Sequence, residues 1–307
     1  KQVVTMKLMN EFKNKAVRDL AWVIESPYLM DESTYSWLFF DDQSRIDFYH
    51  QFNEHLVDID ECPSELMKML EQRPSHRLGY YFEDLVCFWL SHLSNVENIV
   101  RNKQIKNRDR TLGEFDFLFF DPQKNRHFHW EVAIKFYLSM DNKRAWKKWV
   151  GPNANDNLDQ KLSKLIHFQS QLAGARESEA FLADMGINNL VSKILLKGYF
   201  FYHYDEFCSQ IIQSPYQASS THLRGWWQSI DELKNIKHEQ VNWIVLEKFS
   251  WFSPLGLNEE VKPFSLDEVI QHFDDLEENF YPVMLMEISE NENGLKEVSR
   301  GFVVPES

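Results

Sequence analysis

The sequence predicts an α/β fold, and three patterns in it carry that prediction. Residues 77–94 place Leu78, Tyr81, Phe82, Leu85, Val86, Phe88, Trp89 and Leu93 over a wide helical arc, the pattern of a largely buried helix. Glu114–Phe120 and His127–Leu138 alternate apolar and polar residues instead, which is the period of a half-buried strand. A helical pattern at 157–173 and an apolar run at Val191–His203 follow. With Val96–Val100 as a short first strand, residues 77–203 run helix, three strands, helix, strand.

The N-terminal part, 1–76, reads as helices. Residues 8–25 space Leu8, Phe12, Val17, Leu20, Ala21 and Ile24 along one face. Ser26-Pro27 ends that helix, because the residue before proline is pushed out of the α region. Further helices are expected at 43–57 and at 64–72, the latter stopped near Pro74. In Glu114–Phe120, Phe115, Phe117 and Phe119 point one way, and Glu114, Asp116 and Leu118 the other. In His127–Leu138, Phe128, Trp130, Val132, Ile134 and Phe136 share a face opposite His127, His129, Glu131, Ala133 and Lys135. Asp121-Pro-Gln-Lys-Asn125 between them is a turn, so the two strands form an antiparallel hairpin.

Trp149–Asp156 reads as a loop, and the helix after it carries Leu158, Leu162, Leu165, Ile166 and Gln169 at helical spacing. The C-terminal extension, 204–307, holds an expected strand at 241–249, a helix at 266–279 and a hairpin at 282–304, with 213–224 its most loop-like stretch. No repeat, low-complexity tract or linker divides the chain. The expectation is one domain over 1–307 with its core at about 77–203.

Composition narrows the function classes. Cys62, Cys87 and Cys208 are odd in number and far apart, which argues against a disulfide framework and a zinc cage. No apolar run approaches the ~20 residues that span a bilayer. The opening residues lack a signal-peptide core, so the expectation is a soluble, cytoplasmic chain with no membrane partner. The net charge of −14 speaks against a nucleic-acid binder, yet residues 101–165 hold 14 Lys and Arg against 8 Asp and Glu, a local balance of +6. Glycine is scarce, at 10 residues, and there is no P-loop, G-x-S-x-G or G-x-G-x-x-G.

The basic stretch also holds the acids that stand out. Asp116 and Glu131 fall mid-strand in neighbouring strands, opposite their aromatic neighbours. Carboxylates are depleted at such positions, and unpaired buried charges cost several kcal/mol each. Two that converge are best explained by a cation, and oxygen donors of this kind suit Mg²⁺, Mn²⁺ or Ca²⁺. The alternative is that each points to water from a half-exposed sheet or pairs with Lys135. Glu83 is the third acid, one turn after Gly79 and one before Cys87 in the most apolar helix. There it either snorkels to a surface or reaches a partner inside. His127 and His129 share the Glu131 face. An H-x-H pair can ligate zinc or iron, but surface roles or roles supporting a neighbouring acid are commoner. Arg144, Lys147 and Lys148 beside Trp146 and Trp149 suit phosphate contact and base stacking, or form a solvated face.

These residues carry a resemblance. A glutamate on a leading helix, Gly113-Glu-Phe-Asp116 on a strand and Glu131-Val-Ala-Ile-Lys135 on the next resemble the PD-(D/E)XK nuclease superfamily. The wording is closer still to a bacterial domain-of-unknown-function family assigned to it. The stretches that match run from Arg18-Asp-Leu-Ala-Trp22 through Arg77–Glu83, Trp130–Leu138, Trp149-Val-Gly-Pro-Asn153 and Leu158-Asp-Gln-Lys-Leu162 to Gly301-Phe-Val-Val-Pro305. The resemblance implies a restriction endonuclease-like α-β-β-β-α-β core, a three-layer sandwich around a central mixed sheet. It also implies a metal-dependent phosphodiesterase acting on DNA or RNA. Asp116 and Glu131 would hold Mg²⁺ or Mn²⁺, with Glu83 completing the site, and nucleic acid would contact Arg144, Lys147, Lys148 and Lys161. The alternative is a degenerate module of the same fold that binds nucleic acid or protein without cleaving. The chain departs from the superfamily pattern at its lysine, which normally stands two residues after the second acid. Ala133 stands there. Lys135 lies on the same face about 13 Å along the strand from Glu131, and Lys161 on the following helix is the other candidate.

Overall fold

The computed structural model describes residues 9–305 apart from 32, 34, 74, 108–109, 142, 236–240, 258, 277–280 and 292–293. Leu8 and Pro74, used above to place helix ends, lie outside the described residues. Among the described residues, the N-terminal part holds α1 (Lys15–Glu25), α2 (Asp42–Glu61), α3 (Ser64–Glu71) and α4 (Leu78–Ser91). Asn14 caps α1 by accepting from the Ala16 amide, and Ser26 ends it where the following proline requires.

Strands β1 (Glu97–Asn107), β2 (Arg110–Asp121) and β3 (Arg126–Ser139) form an antiparallel meander. The two-residue strand β4 (Trp149–Val150) pairs with the end of β3, and α5 (Leu158–Lys164), α6 (Arg176–Asp184) and β5 (Leu190–His203) follow. β5 runs parallel to β3 over twelve residue pairs, His127–Leu190 to Leu138–Phe201. The rest of the chain supplies α7 (Tyr204–Ser209), β6 (Leu223–Ser229), α8 (Ile230–Asn235), β7 (Asn242–Leu246), α9 (Leu266–Asp274), β8 (Val283–Asn291) and β9 (Gly294–Val304). The strands make one mixed sheet in the order β1-β2-β3-β5-β6-β9-β8-β7. This is a mixed α/β protein with nine strands and, among the described residues, nine α-helices. No described helix is long and apolar enough to cross a membrane.

Both faces of the sheet are covered. Phe117, Phe119, Trp130, Val132, Ile134, Phe136, Leu195 and Tyr199 pack against α1–α4. Ala133, Tyr137, Ile194, Leu196 and Phe200 face the other way, onto Leu158, Leu162, Leu165 and Ile166 of the helix after the loop. The alternation in β3 and β5 thus feeds two separate cores, which is why both strands look apolar nearly throughout.

Several expectations are corrected. The 157–173 helix is interrupted: α5 ends at Lys164, Leu165–Gln169 is a π-helical turn, and Leu172–Gly174 is a 3₁₀ turn. The first strand is twice as long as expected. Helix α6 and strand β6 were not anticipated. Phe115 does not share a face with Phe117 and Phe119, but packs with Ile105, Leu118 and Leu172 on the opposite side.

The β3–β5 contact rests on one close approach. Gly198, paired with Lys135, has φ 137°, and a Cβ there would lie 1.7 Å from the Lys135 carbonyl oxygen. A side chain would meet rigid backbone and hold a conformation that L-residues rarely adopt. Gly198→Ala is expected to cost at least about 3 kcal/mol in urea unfolding. A loss below about 1 kcal/mol would show that the strands can part here without penalty.

Candidate active site

The site begins at a fork in the sheet. β2 and β3 pair from Asp121–Arg126 up to Phe117–Trp130 and no further. Asp116 and Glu131 are the next two residues in that register, so the strands diverge at the position where the acids face each other. The Asp116 carboxylate fills part of the gap: its Oδ2 accepts from the Val132 amide at 2.9 Å.

A backbone reversal accompanies the fork. Across β1, Arg101 pairs with Phe117 and Lys103 with Phe115, and Asn102 between them is left-handed, with φ 53°. Asparagine tolerates that region better than most residues. The consequence is a change of face. Arg101 turns toward α4, where it binds Asp84 at 2.5 Å and Glu83 at 3.5 Å. Lys103 instead lies over the Phe181 ring of α6, 4.7 Å from its centroid. Phe117 and Phe115 separate in the same way, and Asp116 sits at the point of reversal. Asn102 also donates to Glu83 Oε2 at 3.3 Å, which ties the helix glutamate to the same spot.

Glu131 is fully buried and hydrogen-bonded on both oxygens. Oε1 lies 2.9 Å from His129 Nε2, and Oε2 accepts from Gln169 Nε2 at 2.5 Å. The protons on this chain can be counted. Ser192 Oγ donates to the Ser170 carbonyl at 3.0 Å, so it accepts from His129 Nδ1 at 3.1 Å. Burial lowers His129 to about 4, so its ring is neutral at pH 7. With the single ring proton on Nδ1, Nε2 is an acceptor and Glu131 is the donor to it. Glu131 therefore carries a proton in this arrangement. That agrees with its pKa, pushed up to about 7 by burial against the opposing charge of Lys161. Asp116 is likewise held at about 7, by burial and then by the neighbouring Glu131. Burial and the Asp116 charge also raise Glu83.

The lysine comes from α5. Lys161, half-buried on α5, is pulled down by burial and by Lys135, while Asp116 and Glu131 support its charge. Lys135 instead bonds Asp156 in the loop before α5. The structure thus brings together Glu83, Asp116, Glu131 and Lys161 and turns the Lys135 head group to Asp156. Of the other basic residues expected to touch nucleic acid, Arg144 and Lys147 are exposed ahead of β4 and Lys148 is half-buried.

Sequence reasoning gave no role to Gln169 or Asn102, and it offered His129 as a metal ligand, a surface residue or a support for a neighbouring acid. Gln169 reaches Glu131 because the π turn rotates the helix end. Its signal was a polar side chain on the apolar stripe of Leu158, Leu162, Leu165 and Ile166. His129 is the carboxylate's partner. Asn102 left only the general sign that asparagine takes left-handed backbone.

The donor set fits a hard divalent cation. Asp116 and Glu131 are carboxylates whose burial disfavours their charge, and Mg²⁺ is commonly held by one or two carboxylates while keeping several waters. Two buried acceptors beside the acids, Asn102 Oδ1 and Gln169 Oε1, lack a donor, which ion-bound waters would provide. Among the described residues no group of three or more His, Cys, Asp or Glu is gathered closely enough to hold an ion. An ion held by Asp116 and Glu131 would need further oxygens from solvent or substrate.

A mixed-sheet α/β protein with paired acids at a strand fork is the class that fold and site define. The chain belongs to the family described as a domain of unknown function (DUF1853), which matches residues 18–304. No curated protein and no solved structure matches it.

Proposed function

We propose that the chain is a metal-dependent phosphodiesterase that cleaves nucleic acid at Asp116, Glu131 and Lys161. The observation that carries this reading is the fork, which sets the carboxylates of half-buried Asp116 and fully buried Glu131 opposite each other, with Lys161 on the helix that follows. The helix–strand–strand–strand–helix–strand order over 78–203 supports a restriction endonuclease-like core. Asp116 and Glu131 would hold Mg²⁺ or Mn²⁺; such an ion supplies a polarised phosphate and a bound water of lowered pKa. Lys161 donates to the attacking water and to charge developing on the phosphate. Glu83, tied in place by Asn102 and Arg101, adds a third acid on the helix side of the site. His129 and Gln169 fix the plane of the Glu131 carboxylate.

A second reading has one observation in its favour. Both oxygens of Glu131 are already bonded within the protein, as expected of a module that keeps the fold and binds nucleic acid or protein without cleaving. One experiment separates the two. Titration calorimetry with Mg²⁺ and Mn²⁺ is run on the wild type and on Asp116→Asn, beside cleavage assays on single- and double-stranded DNA and RNA. Ion binding and cleavage that are both lost in Asp116→Asn are the expected result. Ion-independent binding of nucleic acid with no cleavage of any of the four substrates would sink the phosphodiesterase reading.

A further inference from the structure

We propose that the pocket formed by Arg144, Trp146, Lys147, Asp159 and Tyr216 is a subsite for an unpaired nucleotide of the substrate strand, an inference that rests on the phosphodiesterase reading above. The pocket has a volume of about 280 Å³ and opens on the flank of α5. It is built from two loops that are fastened together. Trp146 Nε1 donates to the Tyr216 carbonyl at 2.6 Å, and the Tyr216 amide donates to the Arg144 carbonyl at 3.0 Å. The inner side of the Trp146 ring packs on the core beneath α5. A cross-bonded loop pair of this kind holds its aromatic rings and cations in place before a ligand arrives.

The chemistry displayed is that of a nucleotide site. Tyr216 is 62% exposed, an unusual state for a large aromatic side chain, and Trp146 is half-exposed beside it. Flat rings at a surface stack bases, and every base has a face to offer. Arg144 and Lys147 are exposed and, among the described residues, form no ion pair, whereas Lys143 in the same loop is paired with Glu206. Two uncommitted cations flanking two aromatic faces match the alternation of phosphate and base in a strand. Asp159 adds an acceptor at the rim, which suits a base carrying an amino or imino hydrogen. This local cationic display stands out in a chain of net charge −14.

Position links the pocket to the acids. Asp159 and Lys161 are two residues apart on α5, hence on nearly opposite sides of it. Asp116 and Glu131 support the charge of Lys161, so the pocket lies on the other flank of α5 from the acids, one helix diameter, ~10 Å, away. A strand leaving the acids crosses the start of α5 to reach it. A paired base keeps its faces inside the duplex stack and cannot lie on Trp146 or Tyr216. The subsite therefore selects single-stranded or frayed substrate.

Binding is measured separately from cleavage. Fluorescence anisotropy of short labelled oligonucleotides, single- and double-stranded, DNA and RNA, is recorded on the full chain carrying Asp116→Asn. Tyr216→Ala, Arg144→Ala and Lys147→Ala are each expected to weaken single-strand binding about tenfold and to change duplex binding by less than about twofold. Tyr216→Phe restores the affinity. The Arg144→Ala/Lys147→Ala pair lowers the slope of log K against log salt by about 1.4, about 0.7 for each lost phosphate contact. The DNA and RNA arms identify which strand the pocket takes. Single-strand affinity unchanged in all three variants, or no single-strand binding by the parent, overturns the subsite. Wild-type cleavage with pocket-independent binding overturns it alone. Pocket-dependent binding by a chain that cleaves nothing leaves the subsite standing and removes the phosphodiesterase reading.

Discussion

Asp116→Asn is expected to remove the proposed metal-dependent cleavage, by about a thousandfold or more, and at the same time to make the metal-free protein more stable above neutral pH. Both effects have one cause. Asp116 is half-buried opposite the fully buried Glu131, and each is pushed up to about 7. A carboxyl whose pKa is higher in the folded than in the unfolded chain binds its proton more tightly when folded. Its contribution to stability is greatest below about pH 4, falls as pH rises toward about 7, and stays low above that. The loss is on the order of a few kcal/mol for the pair. In chelator the wild-type Tm should fall between pH 5 and pH 8, and Asp116→Asn should flatten that fall. The amide keeps an oxygen for the Val132 N–H, so the fork itself survives the substitution. Glu131→Gln extends the same logic, since its amide donates to His129 Nε2 while its oxygen accepts from Gln169. A divalent ion should restore wild-type stability at pH 8 far more than at pH 5. A wild-type Tm that rises steadily from pH 5 to pH 8 in chelator would show that the acids are not repelling each other. An Asp116→Asn protein that unfolds would make the residue structural.

The element order and the acids were legible in the sequence because both rest on local pattern. A strand shows its period in five residues, and a carboxylate in the middle of one is conspicuous. Asp116 and Glu131 stood out in this way, and Glu83 as an acid in the most apolar helix. What was not legible depends on backbone departures from the regular period. The left-handed Asn102 reverses the faces of β1 and β2, so Phe115 joined the wrong side in a strictly alternating reading. The π turn at Leu165–Gln169 rotates Gln169 onto Glu131, and no apolar spacing announces such a turn. β6 was missed for another reason. Leu223–Ser229 carries Gly225 and two tryptophans without clean alternation, and it becomes a strand because β5 and β9 lie on either side of it. Propensity cannot see neighbours that arrive from 20 and 70 residues away.

The choice between the two lysines gives the second large effect. Lys161→Ala should lower turnover about 10²- to 10³-fold, the usual consequence of losing a donor aimed at developing charge, while Lys135→Ala should change it by about twofold or less. On the strand, Lys135 is displaced from the superfamily position by one full alternation, and its ammonium is bonded to Asp156. On α5, Lys161 is half-buried and its charge is supported by both acids, and the loop 149–156 leads into that helix. Asp156 pairs with Lys135 in that loop, so the strand lysine helps anchor the segment that carries the helix lysine. Lys135→Ala should therefore act chiefly through the loop, on stability and KM rather than on kcat. Lys161→Arg tests geometry as well as charge, because a planar guanidinium does not fit a site shaped for a compact ammonium; it should recover little activity. Ion binding should survive in all three variants, since neither lysine supplies an oxygen ligand. A Lys135→Ala protein that loses kcat with Lys161→Ala unaffected would return the role to the strand. Equal losses in both would mean that the ion pair with Asp156 and the acid cluster work as one unit.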